Sequence, residues 1–179
     1  MAEADWSRLE LSGPEDSRAQ FGGRGAASPE AGDEMDGTAT IEDQLIGTWR
    51  LVSLSRHTPE GAPIPDHPRN GLLTFSPGRR FMLMLTWADR SPPAHDPPTD
   101  AERAALHKSL IAFAGSYSIK GDRLVFHIEM SWNESWTGHH HPRTFVLADD
   151  RLTLTTDPRP SAFDGRESVY TQVWAKLRV

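Results

Sequence analysis

The sequence predicts an all-β fold: an eight-stranded antiparallel barrel with one α-helix at a barrel mouth and a disordered N-terminal tail. Three observations predict it. From Ile46 onward, short segments that alternate apolar and polar residues recur between Pro, Gly, Asn and Asp, the pattern of an antiparallel meander. Eight such segments are joined by turns such as "SPGR", "KGD" and "ADDR", and closing them into a barrel removes the edges that an open meander would expose. One stretch alone has helical spacing.

Residues 1–43 come first. They are rich in Gly, Ala, Ser and acid, and poor in large apolar residues, so burial cannot offset the entropy of ordering them. This segment is expected to be a disordered acidic tail, with Trp6 and Phe21 keeping open a role as a lid that folds over a site. It carries eleven Asp and Glu against three Lys and Arg, which leaves fourteen against sixteen for residues 44–179, so the net charge of −6 belongs to the tail. The remainder has no basic stripe interleaved with aromatics, which argues against a nucleic-acid surface.

The barrel domain is expected over 44–179, and its length suits one domain with a real core. Its strands are "TWRLVSLSR", "GLLTFS", "RFMLMLTW", "GSYSIKG", "RLVFHIEMSW", "PRTFVLAD", "RLTLTT" and "SVYTQVWAKL". Between the third and fourth, "DRSPPAHDPP" reads as a stiff extended connection, because its prolines cannot donate to a sheet. The stretch "TDAERAALHKSLIAFAG" then places Leu106, Leu110 and Phe113 at helical spacing, with Thr99 and Glu102 forming a capping box. Helix and connection are expected to lie across one mouth. A barrel of about eight strands can hold one small ligand.

The chain contains no cysteine, so no disulfide framework or thiolate chemistry is available, which suits a reducing compartment. With no signal-like start and no apolar run of membrane length, a cytoplasmic protein with no membrane partner is expected. There is no Gly-rich phosphate loop and no nucleophile elbow, so phosphoryl transfer and serine hydrolysis are not indicated.

Five segments in order, "LIGTWRLVS", "IAFAGSYSI", "FHIEMSWNESWTG", "DDRLTLTT" and "VWAKL", resemble the lipocalin-like domain family of bacterial and fungal proteins over about residues 44–177. Gly47, Thr48 and Trp49 are similar to the Gly-x-Trp that opens lipocalin barrels, where the Trp plugs the closed end against a basic residue near the last strand. Lys176 or Arg178 would be that partner. The resemblance implies a calycin-type barrel whose cavity takes a small, largely apolar molecule. Some similar barrels in secondary metabolism are cyclases or isomerases, and others are only binders, so the fold by itself does not choose the function.

The densest site signal is "FHIEMSWNESWTGHHHPRTF", residues 126–145. Alternation puts Leu124, Phe126, Ile128, Met130 and Trp132 on one face, and His127, Glu129 and Ser131 on the other. The polar row either lies in solvent or faces the cavity. The resemblance, which extends to an H-x-E-x-S pattern at His127, Glu129 and Ser131, favours the cavity. Facing inward, His127 and Glu129 form a carboxylate–imidazole pair able to move a proton without a cofactor, or to anchor a ligand by hydrogen bonds. Arg143 either meets a ligand carboxylate or enolate bidentately or lies on the surface. Met82 and Met84 suit an irregular pocket, and Trp87, Trp132 and Trp136 suit flat aromatic walls.

His139 and His141, with His127 or Glu129 across the ladder, would supply three ligands of a zinc-type site. The run lies between Gly138 and Pro142, where a turn is expected, so exposed turn histidines and no metal are predicted. The reading at this point is a cofactor-free isomerase, cyclase or dehydratase acting through His127 and Glu129 on an apolar natural-product-like molecule. The alternative is a non-catalytic carrier, either of them a monomer or a homodimer.

Overall fold

The computed structural model describes residues 40–178, and among these every one of the eight expected strands is present. They are β1 (Gly47–His57), β2 (Arg69–Ser76), β3 (Arg80–Trp87), β4 (Leu110–Lys120), β5 (Arg123–Ser131), β6 (His140–Ala148), β7 (Arg151–Thr156) and β9 (Glu167–Lys176). A two-residue strand, β8 (Arg159–Pro160), pairs with β9 in a ladder of its own. Strands β1 to β7 are antiparallel neighbours in sequence order, β7 pairs with β9, and β9 returns to β1, so the sheet closes.

Alternation decides what fills the barrel. Leu73 and Phe75 of β2, Phe81, Leu83 and Leu85 of β3, Leu124, Phe126 and Ile128 of β5, and Leu152 and Leu154 of β7 are all buried, each two residues from the next on its strand. Burial of each such side chain contributes about 1.5–3 kcal/mol, which outweighs the weaker demands of the polar residues between them. The rows therefore set the orientation of every strand.

One departure from strict alternation matters for the site. The β4–β5 ladder shifts between Ala114, opposite Met130, and Gly115, opposite Ile128, which leaves Glu129 in a bulge. Gly115 makes this possible: a Cβ there would lie 2.0 Å from the His127 carbonyl oxygen. The inward row of β5 accordingly stops at Ile128, and Met130, expected on the same face, is 72% exposed.

The helical reading of 99–115 is corrected in its second half. Helix α2 (Asp100–Lys108) has the expected capping box, with the Thr99 N–H donating to Glu102 Oε2 at 2.8 Å and the Glu102 N–H to Thr99 Oγ1 at 3.3 Å. It ends at Ser109, and β4 begins at Leu110. "LIAFAGSYSI" satisfies both periods, and pairing with β3 from Leu110 to Ser116 decides for the strand. The helix buries none of its residues completely. It is tied to the barrel rim by the Trp132 indole N–H, which donates to the His107 carbonyl at 3.0 Å, and by the Trp87 N–H, which donates to the Ser109 carbonyl at 3.1 Å.

A second, five-residue helix was not expected. Helix α1 (Ile41–Leu45) starts from a Thr40–Asp43 capping box and buries Leu45 completely. The boundary at 43 thus falls inside a helix. The rest of the expected tail and lid, Trp6 and Phe21 included, lies outside the described residues.

Candidate ligand cavity at the open end of the barrel

The two ends of the barrel are built differently. At one, Trp49 is fully buried, and its indole N–H donates to the Leu45 carbonyl at 2.8 Å. Lys176 supplies the basic partner that the resemblance left between two residues: its Nζ lies 5.4 Å from the centre of the Trp49 ring and donates to the Gln44 carbonyl at 2.7 Å. Arg178 instead pairs with Asp150 at 2.6 Å. Helix α1, Trp49 and Lys176 together seal this end.

At the other end the strands leave a partly open space of about 50 Å³. Its apolar walls include Leu83, Leu85, Ile111, Phe113 and Trp136, and its polar lining includes Arg69, Arg143, Arg159, Tyr170 and Gln172. Ser161, Ala162 and Phe163, from the connection between β8 and β9, cover it. Phe163 stands at the boundary. Its other side faces a groove of about 430 Å³ with His67, Trp87 and Asp164, which is continued past His67 and Trp87 by one of about 590 Å³ along α2.

The cover is held by charge. Arg56, on β1, donates to both Asp164 oxygens at 3.0 and 2.6 Å and to Ser168 Oγ at 2.9 Å. The Arg56 hydrogen bond holds the Asp164 carboxyl down to about 2. Arg69 is similarly held by Asp66, Nη2 donating to the two carboxylate oxygens at 2.8 and 2.9 Å, while its Nε and Nη1 are buried without a partner. Its guanidinium carbon lies 5.2 Å from the centre of the Phe163 ring.

Arg143 and Arg159 differ from these. Arg143 points inward from β6 and is 7% exposed, and it makes no ion pair among the described residues. Its hydrogen bond runs from Nη1 to the carbonyl of its own neighbour Pro142, at 3.3 Å. Burial, and then the nearby charge of Arg159, push its guanidinium down to about 9. Arg159, on β8, places its guanidinium carbon 5.1 Å from the Trp136 ring centre, and burial lowers it too.

His141 completes the cluster, and it corrects the expectation of an exposed turn. The run "HHH" straddles a boundary: His139 is exposed, and β6 begins at His140. His141 is buried, its ring 4.9 Å from Trp136 and 5.9 Å from Phe113. Burial, followed by the charges of Arg159 and Arg143, pushes it down to about 3, so it is neutral near pH 7. Its Nδ1 is buried without a partner. Pro142 is tolerated in this strand because its β7 ladder starts only at Arg143.

His127 and Glu129 are on the outside of the barrel, which corrects their expected inward orientation. His127 Nε2 lies 2.9 Å from Ser118 Oγ, and Nδ1 lies 2.8 Å from His140 Nδ1. Glu129 accepts from both Arg80 Nη atoms at 2.6 and 2.8 Å, and its side chain is 48% exposed. Arg80 holds the carboxyl below its ordinary value. The two residues have separate partners and face solvent rather than a ligand. The reason is the competition within β5: sinking Leu124, Phe126 and Ile128 gains more than burying an imidazole and a carboxylate, each of which would lose its hydration.

The same competition turns Met82 and Met84 outward, 61% and 48% exposed, because Phe81, Leu83 and Leu85 occupy the inner face of β3. Neither methionine lines the cavity. Ser131 accepts from the Asn133 N–H at 3.2 Å and shapes the turn after β5. Trp136 and Arg143 line the cavity. Trp87 stacks on His67 at the rim, ring centres 3.9 Å apart, and Trp132 packs edge-on to Trp136 at 5.2 Å. Among the described residues, no group of three or more His, Asp or Glu could hold a metal ion.

The cavity residues missed in the sequence include Arg69, Arg159, Phe163, Tyr170 and Gln172. A signal existed for two of them: Tyr170 and Gln172 share the parity of the buried Trp174 on β9. Arg159 and Phe163 lie in "DPRPSAFDG", which has no periodicity to orient a side chain.

An eight-stranded antiparallel barrel, plugged by a tryptophan at one end and open to a small cavity at the other, defines a calycin-type protein. The model of the lipocalin-like domain family matches residues 46–177, and the chain belongs to that family. No curated protein matches it. Among solved structures, it is similar to an uncharacterized protein from Bacteroides eggerthii DSM 20697, at 16% identity and a TM-score of 0.38, covering 74% of this chain and 99% of that one. It is also similar to a variant of the fluorescent protein UnaG, at 11% identity and a TM-score of 0.35, covering 76% of this chain and 98% of that one. Neither likeness bears on what this chain binds. No helix among the described residues is long and apolar enough to cross a membrane.

Proposed function

We propose that this protein binds a small, largely apolar molecule at the open end of its barrel, without chemistry. One observation carries the reading: the closed end is packed solid, whereas the open end keeps an aromatic-walled space whose cover is a single loop. At about 50 Å³ the space has room for a few waters, so a larger ligand enters by displacing Phe163 toward the adjoining grooves.

An isomerase, cyclase or dehydratase would need a proton carrier facing that space. The expected pair, His127 and Glu129, lies outside the barrel. His141 faces inward but is held down to about 3, too weakly basic to take a proton near neutral pH. The Tyr170 hydroxyl does line the cavity, but no carboxylate or imidazole among the described residues lines it to act as its partner, so binding is favoured over catalysis.

The test is a fluorescence titration with the neutral apolar dye N-phenyl-1-naphthylamine. Wild-type protein should bind it saturably, and Ile111→Trp, which fills the cavity, should lose binding while retaining a cooperative thermal transition. Absence of saturable binding to the wild type would overturn the reading.

A further inference from the structure

The mouth of the barrel contains more arginine than carboxylate. Among the described residues, three acids of this end are engaged: Asp164 by Arg56 at 2.6 Å, Asp66 by Arg69 at 2.8 Å, and Asp157 by Arg123 at 2.5 Å. No Asp or Glu lines the cavity. Arg143 and Arg159 remain, both lining it and both without an ion pair among the described residues; the charge of Arg159 disfavours that of Arg143, and the more distant Asp157 only partly offsets this. An uncompensated buried charge costs several kcal/mol, and an aliphatic side chain of similar size at position 143 would avoid that cost. Among the described residues no carboxylate forms an ion pair with either group.

We propose that the ligand is an amphipathic acid, its carboxylate held by Arg143 and Arg159 and its apolar body lying against Ile111, Phe113 and Trp136. This rests on the cavity-binding reading above and names the class of ligand. A guanidinium presents paired N–H donors in a plane that matches a carboxylate bidentately, and Arg143 spends only one of its five on the protein. His141 does not line the cavity: its buried ring packs behind Phe113 and Trp136 and adds no charge to the site. Trp136 is shared, since its ring faces both Arg159 and His141, so an apolar group against it lies beside the charged end. A neutral alcohol of the same shape would leave both guanidinium groups uncompensated, and an organic cation would add to the repulsion.

The experiment uses two tails, each as acid and alcohol: decanoate and 1-decanol, 2-naphthoate and 2-naphthol, titrated calorimetrically at pH 7 into full-length protein. With at least one tail, the acid should bind about 10-fold or more tighter than its alcohol. Arg143→Met should weaken that acid by about 10- to 100-fold, leave the alcohol within about threefold, and melt no lower than wild type without ligand. Arg159→Met should show the same selective loss, and it stands in if Arg143→Met does not fold. If acids and alcohols bind alike, or the variants hold acids as well as wild type does, the acidic-ligand inference fails while cavity binding stands. If neither class binds, both fail.

Discussion

The closed and open ends of this barrel use the same strands to opposite purposes. At the closed end the polar groups are satisfied by backbone: the Trp49 indole by the Leu45 carbonyl, and the Lys176 ammonium by the Gln44 carbonyl. Among the described residues, four of the five buried side-chain polar atoms left without a partner lie at the open end: Arg69 Nε and Nη1, Trp87 Nε1 and His141 Nδ1. The exception, Trp174 Nε1, belongs to the packed interior. Native proteins leave few such groups unpaired, and clusters of them mark places where stability is traded for a site. The difference teaches that the closed end makes the fold and the open end is kept for something else.

The comparison can be broken by substitution. The largest effect is expected at the closed end: Trp49→Ala removes a fully buried side chain and its hydrogen bond, and should cost about 3–5 kcal/mol of stability in denaturant titration. A loss under about 1 kcal/mol would mean that this end is not what holds the barrel together.

An intermediate effect is expected for the cover. Asp164→Asn breaks the bridge to Arg56, and because the Asp164 side chain is 34% exposed the cost should be only about 1–2 kcal/mol. The folded carboxyl sits at about 2 against an ordinary 3.8, so the bridge stabilises fully above 3.8 and fades as pH falls toward 2. Wild-type and variant melting temperatures should therefore converge over that acid range. A gap that persists at pH 2 would show that the bridge is not the source of the difference.

The smallest effect is expected outside. His127→Ala and Glu129→Gln should leave the melting temperature close to that of wild type and dye binding unaltered, since neither side chain reaches the cavity. A marked loss of binding in either would place part of the site on the outer face and remove the sharpness of the two-ended picture.

The limits of sequence reading follow from β5 and β6. Period-two alternation separates two faces, but which face turns inward depends on the sum of burial over neighbouring strands. In "RLVFHIEMSW" the polar row resembled a site, and the apolar row took the interior. The bulge at Gly115 was equally hidden, because a glycine between two alanine-spaced positions looks like any strand glycine until its Cβ would meet the His127 carbonyl. The helix spanning 99–115 was over-extended for a related reason, since Leu110 and Phe113 fit the periods of helix and strand alike.

By itself the sequence determined the eight main strands, the turns, and the capping box at Thr99 and Glu102, all of which are set by residues near one another in the chain, whereas the tryptophan plug was implied by the family resemblance and completed by the distant Lys176. Only the tertiary structure decided that Arg143 has no ion pair among the described residues, because carboxylates of this end are claimed by arginines far away in sequence: Arg56 holds Asp164, 108 residues on, and Arg123 holds Asp157, 34 residues on. Local patterns report local free energies; charge balance inside a closed barrel is a property of the whole sheet, settled only when strands distant in the chain meet.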